Sequence, residues 1–271
     1  MRKVALQIGY DGRTFSGWQR QNDVSSIQGT LEEAFFRCTQ CRIAVVGASR
    51  TDRNVSAIGQ VAHMTLPDSI TIASERLAAG INFYLPSSIR VLKSLEVPLH
   101  FHAQRSALCK TYEYSFWNAR WPNPLYERSL HVPYQVDWQK MKLALTYFLG
   151  THDFGAFAAG AISLAGGSVR TLLSLDLLVD EKCPSFYRLR IEGTGFLKQM
   201  IRRMVGTLLA VGQRRLQAED IRDILLSGDR SRGGKTMPGE GLVLTSITYS
   251  KEFAMLNKAV PLVAKKTERI P

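Results

Sequence analysis

The sequence predicts an α+β protein whose two similar halves share one mainly antiparallel sheet. Strand–helix–strand units follow one another in both halves of the 271 residues. In these units apolar residues alternate along the strands and recur at helical spacing in the helices. Hydrophobic residues make up 45% of the chain, which supports a packed core and argues against disorder.

The first half, residues 1–104, begins with an alternating strand over residues 3–10. Ser25 and Gln28 then predict a capping box at the start of a helix, which carries apolar residues at helical spacing. The remaining elements predicted for this half are an apolar run at 43–46, an alternating run at 60–66, a helix that ends before Pro86, and a strand at 89–98.

The second half, residues 105–253, begins with a strand rich in aromatic residues at 111–117. Asp137 is predicted to cap a helix that Gly150 ends. We expect residues 254–271 to be a mobile basic tail. The other elements predicted are strands at 168–179 and 185–192, helices at 195–212 and 218–227, and a last strand at 241–249.

Charge and composition narrow the functional class. Lys and Arg number 35 against 23 Asp and Glu, a net charge of +12, which favours nucleic acid as the partner. The alternative is a basic surface that only keeps the protein in solution. No apolar stretch of membrane-spanning length occurs, so we expect no membrane association. Four cysteines, with a single C-x-x-C at Cys38 and Cys41, favour a reducing cytoplasm and no metal site.

A basic loop presents the first candidate catalytic residue. Residues 47–57 have the sequence GASRTDRNVSA, between two runs typical of strands. Arg50 and Arg53 flank Asp52, where they are expected to keep its carboxylate ionised and to attract a polyanion. The alternative is that Asp52 is an ordinary turn residue.

A strand and a helix of the second half carry further candidates. Tyr112 and Tyr114 point to one face of their strand, although paired aromatics in a strand are often only packing partners. On the helix, Arg202 and Gly206 lie one turn apart on a line separate from the buried apolar stripe. Gly206 permits the close approach of another segment. Arg202 is thus placed to reach a partner, unless it only solvates the helix surface.

The Asp52 loop resembles the motif G-[GAS]-[GS]-R-T-D-x-G-V-H-A of the tRNA pseudouridine synthase A family. Asn54 replaces the usual Gly, and Asn tolerates the left-handed conformation that Gly adopts. Ser56 replaces the usual His, and Gln104 replaces Arg in the motif F-x-A-R at 101–104. Further family motifs are matched, in the family's order, at residues 10–19, 81–86, 107–114, 150–154, 168–171, 196–206 and 238–242.

The resemblance implies the pseudouridine synthase fold, in which two ferredoxin-like halves form one sheet with a basic cleft. It implies conversion of uridine to pseudouridine at positions 38, 39 and 40 in the anticodon stem-loop of tRNA, by a homodimer and without cofactor or metal. Asp52 would be the nucleophile, attacking either sugar or base, and Arg202 would orient it. Tyr112 would stack on the uracil. The substrate-binding residues implied are Tyr112, Arg50, Arg53, Gln19 and Asn82.

Two other functions are compatible with the sequence. The replacements Asn54, Ser56 and Gln104 lie in or beside the expected site, and they motivate a catalytically weak paralogue that binds or chaperones tRNA. A general basic RNA-binding module would explain the charge and the aromatic residues. It would not explain why Asp52, Tyr112 and Arg202 occur together.

Overall fold

The computed structural model describes residues 1–160 and 167–257. Its helices lie close to the predicted positions, and its strands form one sheet. The helices are α1 (Ile27–Thr39), α2 (Leu77–Tyr84), α3 (Trp138–Ala144), α4 (Met200–Gly212) and α5 (Asp220–Ser227). The strands are β1 (Arg2–Tyr10), β2 (Val46–Gly47), β3 (Ser56–Leu66), β4 (Ile89–Val97), β5 (Ala107–Trp117), β6 (Leu130–His131), β7 (Gly150–Asp153), β8 (Val169–Asp180), β9 (Cys183–Gly193) and β10 (Leu242–Tyr249).

The two halves repeat one strand order. The sheet runs β4-β1-β3-β10-β5-β9-β8-β7, with β2 beside β3 and β6 beside β5. The first half therefore has the order β4-β1-β3-β2, and the second half has the equivalent order β10-β5-β9-β8. Among the described pairs, β10 with β3 and β5 with β6 are parallel and the others antiparallel. The predicted α+β class and the mainly antiparallel sheet are confirmed.

Strand β3 joins the halves. Its later residues pair with β2, where His63 lies opposite Val46. Its first residue, Ser56, pairs in parallel with Val243 of β10. At Gly59 the two strands approach so closely that a Cβ would lie 2.1 Å from the carbonyl oxygen of Thr245. The loop between β2 and β3, residues 48–55, is therefore placed where the two halves meet.

Helix packing completes each half, since α1 packs against α2 and α3 against α4. Three predicted helix starts were wrong, and one of them is α5, which begins at Asp220 and not at 218. The cap of α1 is Ser26, whose Oγ accepts a hydrogen bond from the Gly29 amide at 3.2 Å, and not Ser25. Helix α4 begins at Met200 rather than at 195, because Gln199 has a left-handed backbone with φ of +59° and interrupts the helical geometry.

The chain stays packed close to the end of the described residues. Phe253 and Leu256 are buried in a short 3-10 segment, and the Asn257 side chain hydrogen-bonds the Tyr249 backbone at 2.8 and 2.9 Å. Residues 258–271 of the predicted tail lie outside the described residues. Within the described part, no helix combines the length and apolar character needed to cross a membrane.

Candidate active site

The segment that leads into Asp52 is fixed by buried polar side chains. Gln60 of β3 accepts a hydrogen bond from the Ser49 amide at 3.2 Å and donates one to the Ser49 carbonyl at 2.7 Å. The Tyr10 hydroxyl lies 2.8 Å from Thr51 Oγ1. Because Gln60, Ser49 and Thr51 are buried, these bonds hold the backbone leading into Asp52 in one conformation.

Two replaced motif positions have defined structural roles. Asn54 has a φ of +67°, so the position does require a left-handed backbone and Asn supplies it. Its side-chain amide also donates to the Glu240 carboxylate. Ser56 is buried, and its hydroxyl accepts a hydrogen bond from the Gly12 amide at 3.0 Å. Both residues thus tie the Asp52 loop to neighbouring segments of the chain.

Asp52 and Arg202 form an ion pair between the two halves. Arg202 Nη1 lies 3.2 Å from Asp52 Oδ2, and the side chains are 16% and 22% exposed. Arg202 Nε donates to the Met237 carbonyl at 2.6 Å, so two edges of the guanidinium are fixed. Arg50 and Arg53 are exposed and make no ion pair with Asp52 within 4.0 Å in the described part of the chain. Among these three arginines, Arg202 is therefore the one in contact with the Asp52 carboxylate.

The loop at 229–240 places the main-chain partner of Arg202. It crosses α4 at Gly206, where a Cβ would lie 1.8 Å from the Lys235 carbonyl oxygen. The Gly234 amide donates to Thr207 Oγ1 at 2.8 Å, which holds the loop on the helix. The close approach predicted at Gly206 is confirmed, and its partner is this glycine-rich loop.

Tyr112 lies at the same junction as Asp52 and Arg202. It is 5% exposed, and its hydroxyl lies 2.8 Å from Ser49 Oγ. The Phe196 ring packs edge-on against it, with ring centroids 5.3 Å apart. Burial raises the pKa of Tyr112 to about 12; the Ser49 hydrogen bond opposes this shift and the nearby Asp52 charge adds to it. A neutral tyrosine, a carboxylate and a guanidinium thus converge at the junction of the halves.

Comparison with known proteins identifies the family. Residues 144–250 match the family model described as tRNA pseudouridine synthase. The tRNA pseudouridine synthase A of Acetivibrio thermocellus is 40% identical over 250 residues, which cover 92% of this chain and 100% of the relative. The chain belongs to the tRNA pseudouridine synthase A family. It is therefore an isomerase of the pseudouridine synthase class.

Other relatives with the same name agree over the same length. The tRNA pseudouridine synthase A of Thermoanaerobacter sp. strain X514 is 37% identical over 250 residues, covering 92% of this chain and 100% of the relative. That of Streptococcus thermophilus strain CNRZ 1066 is 38% identical over 251 residues, with the same coverage. The similarity to the synthases thus spans both halves and includes the Asp52 loop and helix α4.

The other predicted substrate-binding residues make no hydrogen bond to Asp52, Tyr112 or Arg202 in the described part of the chain. Gln19 is exposed, and its amide donates to the Gln28 side chain at 3.0 Å. Asn82 lies on α2, where both ends of its amide bond the Val91 backbone at 2.8 Å and so attach α2 to β4. None of these hydrogen bonds reaches Asp52, Tyr112 or Arg202. Arg50 and Arg53 project from the loop itself.

Three residues around the site were not predicted to have a role. Ser49 and Gln60 hold Tyr112 and the Asp52 loop in place. Lys110, two residues before Tyr112, donates to the Ala48 carbonyl at 2.8 Å. A polar Gln on the buried face of an alternating strand is the one sequence signal that marks Gln60, because buried amides need partners.

Proposed function

We propose that this synthase converts uridine to pseudouridine at positions 38, 39 and 40 in the anticodon stem-loop of tRNA, with Asp52 as the nucleophile. The observation that carries the proposal is the ion pair between Asp52 and Arg202, assembled next to Tyr112 at the junction of the halves. Arg202 contacts one carboxylate oxygen of Asp52, which is Oδ2. The second oxygen is therefore available to react with a substrate.

The reaction requires no oxidant, reductant or added group. In pseudouridine C1′ of the ribose is bonded to C5 of the uracil instead of to N1. The N1–C1′ bond breaks, the C5–C1′ bond forms, C5 loses its hydrogen as a proton, and N1 gains a proton. Asp52 supplies a transient covalent partner, at the sugar or at the base, while the uracil turns between the two bonds.

The substrate base must leave its stack to reach Asp52, as for other enzymes that act on a base. Tyr112 is proposed to contact the face of the extruded uracil, and its neutral hydroxyl stays bonded to Ser49. Arg50, exposed beside the aspartate, is proposed to fill the space the base leaves. Arg53 and Gln19 are proposed as further RNA contacts, and Asn82 as an indirect one that fixes α2.

The proposal also includes the oligomeric state of the enzyme and its compartment. We propose a homodimer acting in the cytoplasm, and four free cysteines fit a reducing compartment. Light scattering coupled to size-exclusion chromatography tests the dimer: a mass of one chain, at concentrations where the enzyme is active, would contradict it.

One experiment separates catalysis from mere binding. Unmodified tRNA with tritium at C5 of its uridines is incubated with the full-length protein, and released tritium is counted. Carbodiimide treatment and primer extension then locate the pseudouridines. We expect release, with products at positions 38 to 40. Bound tRNA without release would support the weak paralogue, and products elsewhere in the tRNA would contradict the anticodon assignment.

A further inference from the structure

We propose that Lys110 and Arg170 form a subsite for one backbone phosphate of the RNA, beside the Asp52 loop. The inference rests on the proposed function, because the ligand is a phosphodiester of the substrate RNA. It assigns a role to two cations that the reaction itself does not use.

Lys110 points to the side of the sheet that carries the site. It precedes Tyr112 by two residues on β5, so both side chains leave the same face. Its Nζ donates to the carbonyl oxygen of Ala48, the first residue of the Asp52 loop, at 2.8 Å. An ammonium carries three donors, and this is the one hydrogen bond it makes in the described part of the chain. Two donors are thus available to a ligand.

The two cations have no acidic partner in the described part of the chain, where no carboxylate lies within 4.0 Å of either. Glu192, on the neighbouring strand, belongs to the opposite face and bonds Cys109 and Thr111. Burial, and to a smaller extent the charge of Arg170, lowers the pKa of Lys110 to about 8. Lysines that are largely withdrawn from solvent usually have a counter-charge, and Lys110 has none among the described residues.

Arg170 approaches the same region from β8. Its side chain passes over Gly195, where a Cβ would lie 3.6 Å from Arg170 Cδ. The next residue, Phe196, packs edge-on against Tyr112. Arg170 Nη1 donates to the carbonyls of Gly167 and Val169, which leaves other N–H groups of the guanidinium for a ligand. Lys110 therefore lies beside the Asp52 loop and Arg170 beside the segment that carries Phe196, and the two cations are close enough for the charge of Arg170 to act on Lys110.

A phosphodiester fits this arrangement in charge and in donors. It carries one negative charge and two exposed oxygens, and Lys and Arg are the residues that bind such groups. A nucleotide that leaves its stack carries a phosphate on either side of its sugar. One of these phosphates is the anion placed nearest to Tyr112 when the uracil lies at the site.

The competing explanation is that Lys110 only holds the Asp52 loop through Ala48. Lys110→Gln separates the two roles, because the Gln amide keeps an N–H donor for the carbonyl but removes the charge. Lys182→Gln is the matched control, since Lys182 is exposed in the turn between β8 and β9. Arg170→Gln tests the second cation independently.

The test uses full-length protein and a set of anticodon stem-loop RNAs, each with one phosphate near the target uridine replaced by an uncharged methylphosphonate. For the parent and the Lys182→Gln variant we expect one linkage whose replacement weakens binding about tenfold. Lys110→Gln and Arg170→Gln should bind the unmodified RNA more weakly and lose nothing further at that linkage. The slope of log affinity against log salt should fall by about 0.7 to 1.

Two results would overturn the proposal. One is a parent protein insensitive to every replaced linkage. The other is a Lys110→Gln or Arg170→Gln variant that keeps the parent's sensitivity at the same linkage, which would leave those residues a structural role alone. A failure of the proposed function shows itself separately, because the parent would then release no tritium from unmodified tRNA.

Discussion

Arg202 Nη1 lies 3.2 Å from Asp52 Oδ2, although 150 positions separate the two residues in the sequence. Asp52 belongs to the loop between β2 and β3, and Arg202 to α4 of the other half. The pair forms only because β10 aligns with β3 and joins the two halves in one sheet. The central ion pair is thus a product of the sheet topology.

Arg202→Lys should impair the reaction more than binding. The guanidinium contacts Met237 with Nε and Asp52 with Nη1, and a single ammonium cannot hold both positions. We expect kcat to fall on the order of 100-fold, because small displacements of a reacting group have such effects. Single-turnover rates at saturating tRNA measure this. A fall below about threefold would show that orientation by Arg202 matters little.

Replacements of Tyr112 should distinguish the role of its ring from the role of its hydroxyl. Tyr112→Phe keeps the ring and leaves Ser49 without its partner, at about 1 kcal/mol of unfolding free energy. Tyr112→Ala removes the proposed contact with uracil and opens a cavity costing about 3–5 kcal/mol. Rates corrected for the folded fraction should be near the parent for Phe and far lower for Ala. Equal corrected rates for the Phe and Ala variants would show that Tyr112 only packs in the core.

Ser56→His restores the residue usual in the family. The Ser56 hydroxyl already accepts the Gly12 amide, and an imidazole nitrogen can accept the same bond, so the rate should change only modestly. Ser56→Ala leaves that buried amide unpaired and should lower the unfolding free energy by about 1–3 kcal/mol. Tritium release and urea denaturation are the measurements. A strong gain of activity in the His variant would instead indicate a native protein weakened by the replacement.

Lys110 should give the protein a distinctive pH dependence. Its pKa is lowered from 10.5 to about 8 in the folded state, by burial and by the facing charge of Arg170. As pH rises above about 8 the folded state loses a proton that the unfolded chain keeps, so the unfolding free energy rises. The slope is at most about 1.4 kcal/mol per pH unit.

The control for this prediction is the Lys110→Gln variant. Its unfolding free energy should not show the rise above about pH 8. Urea denaturation of both proteins between about pH 7.5 and 10 provides the curves. The pKa values of Cys38, Cys109 and Tyr112 are raised, so these groups lower the unfolding free energy above their ordinary values of 9.0, 9.0 and 10.0. They are present in both proteins, so the difference between the two curves reports Lys110. Parallel curves for the parent and the variant would show that the pKa of Lys110 is not lowered in the folded state.

Sequence patterns located the elements, and the resemblance to family motifs implied the three converging residues. Asp52, Tyr112 and Arg202 each stand in a motif whose residue types are chemically restrictive, and alternation or helical spacing marks the strands and helices around them. Asn54 was also foreseen in its left-handed conformation, because that preference is local to the residue. Such features depend on short stretches of chain and can be predicted from them.

Features set by distant contacts were not predicted. One error was local, since either serine can adopt the backbone angles of a cap and Ser26 is the one that does. The anchoring of Arg202 by Met237 depends on a loop that crosses α4 at Gly206. Among the described residues no carboxylate lies within 4.0 Å of Lys110, and strand register turns the neighbouring Glu192 to the other face. None of these is encoded in the spacing of residues near the site.

Replacement of Asp52 by Asn tests the central claim most directly. The measurement is tritium release from unmodified tRNA by the Asp52→Asn variant and the parent, with tRNA affinity measured in parallel. Asn keeps the shape of the side chain but cannot act as the nucleophile, so turnover should be abolished while folding and affinity stay close to the parent's. A variant that retains more than about a tenth of the parent's rate would contradict the assignment of Asp52.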